Sequence, residues 1–467
     1  MFSISPARIL ILTLLTSLSG CAASPAPAPA PAAVQSPAAP WWQALHDPRL
    51  DALQAQALQT NVDALRKALS WQSAQAQARL TGLDEQPSPS LGLNASTSRA
   101  LHAGTTSVLV NGVNVPVDTG ARTTRSYGAS AGLSYEVDLW SRLAQATRAD
   151  RADAALRREE WYGARWLLGT RVAEAYWTIA AIDARLPLLT ELAQAADEAV
   201  RIAQVRLKEG KLRADEVDVV VTRQYEARRR VADAQIDRRL RLNALAVLLD
   251  RDTAALEPQL APGMVRLPAG EPPPPTLGTP AQTLERRPDV RQARLAVDAA
   301  LARLHVAEAA RYPALNLGLN LLTNGGDWGH WFSQPLATLG AGLAVPLVDW
   351  RRLDTRRDIA RNTLDDAALA LRATVRQALT DVDNALLERE RWRQAWQAAQ
   401  AQRAEKEKVH AVARLRQEAG AAGRLDVLQS REGVLAAEIE LIDLRLRAWI
   451  DLMTLYKATG EGAESSL

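Results

Sequence analysis

Five histidines, one cysteine and 53 carboxylates are the side chains here that could do acid–base, nucleophilic or metal chemistry. Their spacing gives that chemistry no place. His46, His102, His305, His330 and His410 lie far apart with no metal-ligand interval between them, and Cys21 has no second thiol. No Gly-rich loop carrying Lys and Ser or Thr is present to cradle a nucleotide phosphate. The carboxylates are interleaved with 56 Lys and Arg, as on solvated helix surfaces. The sequence argues against an enzyme and supplies no cofactor site. Its small net charge of +3 also argues against nucleic acid as a partner.

Two short stretches hold the remaining residues of interest. Ala413 to Leu428 contains a charged run, a glycine turn and the start of a second run, and it has an echo 210 residues earlier. That offset sets Gly420 on Gly210, Val427 on Val217 and Leu455 on Leu245. Each copy has the form of a tight αα-hairpin. Gly210 and Gly420 suit a helix stop, because glycine readily takes positive φ. Leu212 and Leu425 stand as single apolar residues among basic ones at these tips, where an exposed leucine is expected to have nothing of its own to pack against. Asp426 opens the second return run, where an acid caps and charges a first turn. Glu216 and Asp218 stand in the first copy where Asp426 and Leu428 stand in the second.

Cys21 follows Arg8, the apolar run Ile9 to Leu15, and Leu18-Ser19-Gly20. This looks like a bacterial lipoprotein signal, with cleavage before Cys21 leaving an acylated N-terminus. The apolar run is too short for a membrane-spanning helix. Ala22 follows, where an Asp would resemble an inner-membrane retention signal, so the outer membrane is expected. Residues 22 to 40 are rich in Ala and Pro and read as an extended linker.

The elements that must position the tips come in two rounds. Apolar residues at helical spacing run from Leu45 to Leu80 and again from Leu277 to Ala310, each ending at prolines. The period then drops to two in Leu91 to Asn94, Tyr127 to Tyr135, Leu315 to Leu321 and Leu339 to Val345, giving four strands in two hairpins. Nothing else reads as β. Helix resumes near Asp138 and Asp349 and continues to the tips, roughly 70 residues or about 100 Å in each copy. Return helices over Glu216 to Leu249 and Asp426 to Ala458 complete each round. The expected fold is mainly α with a small transmembrane β part and a two-fold internal repeat. Its divisions are a signal peptide at 1–20, a lipidated linker at 21–40, repeat 1 at 41–257, a Pro-rich connector at 258–276, repeat 2 at 277–460 and a tail at 461–467. Four strands cannot close a membrane barrel, for which about eight is the minimum, so lipid-facing strands would require copies of the chain to share one. Trp328 and Trp331 belong to an aromatic belt or to an outward loop, and Trp41 and Trp42 pin the N-terminal arm.

Several motifs in order resemble the TolC-like outer-membrane efflux proteins, lipoprotein branch. They are Trp41-Trp42 with Asp47-Pro48, Tyr135 to Trp140 (Tyr-Glu-Val-Asp-Leu-Trp), Arg286 to Val290 (Arg-Arg-Pro-Asp-Val), Pro346 to Asp349 and Leu425 to Leu428. The resemblance covers about residues 41 to 460. It implies a homotrimer whose twelve strands make one barrel, continued by a long α-helical periplasmic barrel. It also implies docking of the tips around Gly210, Leu212, Gly420 and Leu425 onto a periplasmic adaptor protein linked to an inner-membrane transporter of RND type. Asp426 matches a family position where carboxylates ring the closed entrance, while Gln429 stands where some relatives carry a second Asp. The implied function is a passive exit duct held in outer-membrane lipid. A lipid-anchored coiled-coil scaffold without a pore is the alternative, and it leaves the four strands unexplained.

Overall fold

The computed structural model describes residues 41–99, 105–110, 112–118, 123–272, 279–327, 329–330, 332, 334–346 and 348–461. Cys21, Trp328 and Trp331 lie outside them. The chain enters through a 3-10 turn, Trp41–Leu45, and a first helix α1, Pro48–Thr60. Asp47 caps α1 by accepting the amides of Arg49 and Leu50 at 3.0 and 3.2 Å, and Pro48 suits the first helical position. The helix expected over Leu45 to Leu80 is broken at Asn61. Its side chain accepts the Ala64 amide at 3.0 Å and donates to the Leu248 carbonyl at 3.0 Å, so a second helix α2, Val62–Leu83, starts afresh there.

Four long strands follow the predicted segments: β1 Ser88–Arg99, β4 Thr123–Val137, β5 Ala314–Gly325 and β6 Pro335–Ala344. They pair antiparallel in the order β1-β4-β5-β6. Two further strands, β2 Thr105–Val110 and β3 Val113–Asp118, pair as a separate ribbon that turns at Gly112 (φ 82°). This corrects the expectation that only four segments are β. Asn111-Gly112 is a hairpin signal, and the valines around it alternate.

Register separates the two faces of the sheet. Leu91 opposes Ala131, Leu133 opposes Leu319, Tyr135 opposes Leu317, and Leu319 opposes Leu339, all on one face. Ser90 opposes Gly132, Asn94 opposes Gly128, Gly132 opposes Asn320, and Gly318 opposes Gly340 on the other. The apolar face is bare in the single chain, with Leu91 81% and Leu339 83% exposed.

After β4, helix α3 runs Arg142–Lys208, and after β6, helix α8 runs Trp350–Glu418, with 67 and 69 residues. α3 continues through Pro187. The return helices are α4, Ala214–Leu248, and α9, Arg424–Thr459. Between the rounds lie a single turn α5, Thr253–Leu256, then α6, Pro280–Arg286, and α7, Pro288–Ala309. Arg287 divides the helix expected over Leu277 to Ala310, because the residue before Pro288 is held extended (ψ 124°). No helix among the described residues is long and apolar enough to cross a membrane.

The helices lie side by side as α2, α3, α7 and α8, with α4 against α3 and α9 bridging α8 and α3. The main core lies where the N-terminal arm docks, and it includes Leu50, Tyr176, Trp177, Leu245, Leu249 and Met453. Trp41 stacks on Tyr456 at 5.6 Å between centroids, and Trp42 packs where Gly169 leaves room. The arm is thus pinned as its tryptophans suggested. Elsewhere the core is thin and Ala-rich, which suits a chain with two Phe. Apolar residues remain exposed along α2 (Val62, Leu65, Leu69) and along α8 (Ile359, Leu369, Leu387). β1 follows α2 and β6 precedes α8, so each open sheet edge continues into an open helical edge.

Candidate functional site

Both tips close by the same backbone device. Gly210 (φ 67°) ends α3, with the Lys211 amide on the Arg206 carbonyl at 2.8 Å. Gly420 (φ 70°) ends α8, with the Ala421 amide on the Arg416 carbonyl at 2.8 Å. These are glycine-terminated helix ends in which otherwise orphan carbonyls find partners. An acid then starts each return helix. Glu216 accepts the Arg213 amide and Asp426 accepts the Gly423 amide, both at 2.8 Å. Asp426 therefore does cap α9, and it is also exposed. It borders an open groove of about 650 Å³ between α8 and α9, together with Lys406, Lys408, Arg416, Gln429 and Ser430.

The two leucines are half-buried rather than bare. Leu425 lines a cavity of about 180 Å³ with Leu192, Ala196, Ala227 and Leu428, so it has packing of its own between α3, α4 and α9. The expectation that an apolar tip residue lacks such packing does not hold for Leu425.

Sequence inspection missed how the tips are fastened together. Arg424 forks onto Glu198 at 2.8 and 3.1 Å, and Arg431 onto Glu191 at 2.7 and 3.0 Å. Arg185 meets Asp443 at 2.8 Å and Lys457 meets Glu174 at 2.7 Å further along the same pair of helices. These pairs bind α9 antiparallel to α3. The hydrogen bond from Arg424 holds the Glu198 carboxyl below its ordinary value, and Arg431 does the same for Glu191. His410 on α8 points its Nδ1 at Ser430 Oγ, 2.9 Å away, while that hydroxyl donates to the Val427 carbonyl. The hydroxyl thus accepts from an Nδ1–H. Burial, then the charges of Arg431 and Arg414, pushes the His410 pKa down. The only sequence signal for the fastening is a seven-residue spacing on both sides, Glu191 to Glu198 and Arg424 to Arg431, two turns of helix each.

Among the described residues no cluster of three His, Cys, Asp or Glu side chains could hold a metal. The tips offer charge and grooves but no reacting constellation. A mainly α chain with a four-stranded antiparallel sheet, apolar on one face and polar on the other, and with charged helical tips remote from it, is built as a membrane channel component. The family described as "Outer membrane efflux protein" matches residues 53–251 and 279–461, and the chain belongs to that family. It is an outer-membrane efflux channel and not an enzyme.

Among relatives, the pyoverdine export outer membrane protein OpmQ of Pseudomonas putida is 26% identical, covering 98% of each chain. The cation efflux system protein CusC of Escherichia coli O6:H1 is also 26% identical, covering 98% of this chain and 99% of its own. The outer-membrane channel OprN has the same fold, with a TM-score of 0.80 at 20% identity over 92% of this chain and 94% of its own. The open state of Neisseria gonorrhoeae MtrE superposes with a TM-score of 0.76 at 24% identity over 93% and 94%.

Proposed function

We propose that three copies of this chain close a twelve-stranded barrel in the outer membrane and continue it as a periplasmic helical tunnel, through which small molecules leave passively. The observation that carries this is the pairing of defects in the lone chain. β1 and β6 each have an unpaired edge, the apolar face is bare, and the open edges of α2 and α8 lie beneath the same two strands. Neighbouring copies joined edge to edge would satisfy strand and helix together, and membrane sheets must close. The polar face, lined by Ser, Asn and Gly, then faces water. Helices of about 100 Å extend far past a hydrocarbon core of about 30 Å.

The tips around Gly210, Leu212, Gly420 and Leu425 dock a periplasmic adaptor, with Asp426 from each copy at the entrance. The adaptor joins the duct to an inner-membrane transporter of RND type, which supplies the energy. Relatives named for pyoverdine export and for cation efflux support an export role without fixing this chain's cargo. Cys21 is the lipid anchor. Trp42 docks beside Gly169, about 40 Å along α3 from the sheet. The chain from Cys21 to Trp41 can reach about 60 Å when extended, enough to return to the membrane. The divisions at 1–20, 21–40, 41–257, 258–276, 277–460 and 461–467 belong to the same proposal.

Purification in detergent with mass measurement, followed by planar-bilayer recording, tests this. A trimer with steady conductance supports the duct. A silent rod-like oligomer would instead favour a lipid-anchored scaffold.

A further inference from the structure

Where the sheet hands over to the helices, a groove of about 620 Å³ opens between α3, α7 and α8. Trp140, Gln145, His305, Glu308, Arg357 and Arg361 are among its lining residues, with Arg311 and Tyr312 at its upper end. Trp140 stacks on Tyr312 at 4.7 Å, and its ring N–H donates to the Pro313 carbonyl at 2.9 Å, one residue before β5. The Arg311 guanidinium lies 4.6 Å from the centre of the Trp350 ring. Its Nε is buried and has no hydrogen-bond partner among the described residues.

The side on which this groove opens follows from the charged residues around it. Glu136 stands on the polar face of β4, and Arg142 forks onto it at 2.8 Å. About three turns down the same side of α3, Asp153 pairs with Arg303 of α7. On α7, His305 and Glu308 point about 150° away from Arg303. The groove therefore opens on the opposite side from the polar, luminal face, directly below the apolar face of the sheet.

Its charge is positive at that level. The opening turns of α8 carry Arg351, Arg352, Arg356, Arg357 and Arg361 against Asp354 and Asp358. Asp354 is shared between Arg311 at 3.2 Å and Arg357 at 3.7 Å, and Asp358 takes Arg357 at 2.6 Å. Arg361 is exposed and has no ion pair among the described residues. Aromatic rings with cations just beneath an apolar face are the arrangement that meets a headgroup layer.

We propose that this groove binds the headgroup of an anionic phospholipid in the periplasmic leaflet, with Arg357 and Arg361 on the phosphate and Trp140, Tyr312 and Trp350 at the glycerol level. The site rests on the apolar face being lipid-facing, but it does not require the channel to conduct. It fixes the depth at which the barrel sits and orders the helix starts beneath it.

Native mass spectrometry of the full-length protein in detergent tests this, using phosphatidylglycerol and phosphatidylethanolamine of equal chain length. Phosphatidylglycerol should be retained preferentially, and the R357A/R361A variant should lose about tenfold in that affinity, as expected for removing near-surface cations. Should that variant not assemble, Arg361→Gln alone removes the unpaired cation and should still lower retention. Equal retention of the two lipids, or a preference unchanged in the variants, overturns the site. Displacement of the lipid by inorganic phosphate would mark a free-anion site and overturn it as well. Bilayer conductance recorded on the same samples keeps this outcome separate from that of the duct.

Discussion

Arg424 and Glu198 stand 226 residues apart in sequence and meet in a two-pronged ion pair, Nε to Oε1 at 2.8 Å and Nη2 to Oε2 at 3.1 Å. The pair joins the second tip hairpin to the long helix of the first. Opening the entrance by separating the hairpins would have to break it, together with Arg431–Glu191 two turns further along. Both pairs are partly solvated, so each should contribute only about 0.2–1 kcal/mol to stability. Their removal should be felt as a change in opening rather than in folding. Glu198→Gln and Arg424→Ala should each raise single-channel conductance or open probability while the melting temperature moves little. The exchanged pair, Glu198→Arg with Arg424→Glu, should restore the closed level. Conductance equal to wild type in both single variants would remove the fastening role.

Acid should loosen the tips in two stages. The folded-state pKa of His410 is depressed, so its neutral form is favoured. Stability is present above the unfolded value of about 6.5 and is lost as pH falls through the lower folded value. Glu191 and Glu198 are also depressed, from an ordinary 4.5. Their contribution is present above that value and is lost as pH falls through their folded pKa values. Distances between spin labels on the two tips should therefore broaden below about pH 6.5 and again below about pH 4.5. His410→Gln should abolish the first stage, and the double variant Glu191→Gln, Glu198→Gln the second.

The long helices, the four strands of the sheet and the glycine tips were legible because each is written in local periodicity or local turn chemistry. The strands showed as alternation around Leu91, Tyr127, Leu315 and Leu339, and register later placed those residues by face. The break at Asn61 was hidden because it depends on a distant partner, the Leu248 carbonyl. The break at Arg287 instead follows from Pro288, a local signal that the helical periodicity around it masked. The fastening of the tips was hidden for the same reason as the break at Asn61. Charges on α3 and α9 are plain in the sequence, but which of them face each other depends on how two long helices are rotated. Leu425 read as a bare tip residue because its packing comes from α3 and α4, over 190 residues away.

The tip glycines do not all carry the same burden. Gly210 and Gly420 have φ of 67° and 70° with open space around them, so alanine there meets backbone strain and no clash. Gly210→Ala and Gly420→Ala should each cost about 1 kcal/mol, read as a lower denaturation midpoint with an unchanged slope. At Gly423 a methyl group would crowd the end of the Arg206 side chain, at 2.5 Å, and touch Asp426 Oδ2 at an ordinary 3.5 Å, and φ is −87°. Gly423→Ala should be nearly neutral, since the arginine can move.

Arg287 is a buried cation that ties the start of α7 to α8 and α9 within the second repeat. It bonds Asp289 at 2.7 Å, Asp381 at 2.9 Å and the Ala458 carbonyl at 3.0 Å, with burial opposed by those two carboxylates. Its removal strands the buried Ala378 and Ala458 carbonyls and leaves the partly exposed Asp289 and Asp381 carboxylates to water. Arg287→Met should therefore cost about 1–3 kcal/mol, measured by thermal or denaturant unfolding of the assembled protein. Arg287→Lys should recover only part, because a single ammonium cannot span all the acceptors.

Asp426 carries two roles that one substitution can separate. Its carboxylate accepts the Gly423 amide at 2.8 Å, which starts α9, and its exposed charge faces the groove with Lys406, Lys408 and Arg416. Asp426→Ala removes both and should cost about 1 kcal/mol as a lost cap, whatever its effect on conduction. Asp426→Asn keeps an oxygen for the Gly423 amide and deletes the charge. If three such carboxylates ring the entrance, the asparagine variant should unfold at nearly the wild-type midpoint yet lose cation selectivity, seen as a reversal potential shifted toward zero in a salt gradient. Should the asparagine variant keep wild-type selectivity and conductance, Asp426 is a helix-start residue and the entrance owes its charge to other side chains.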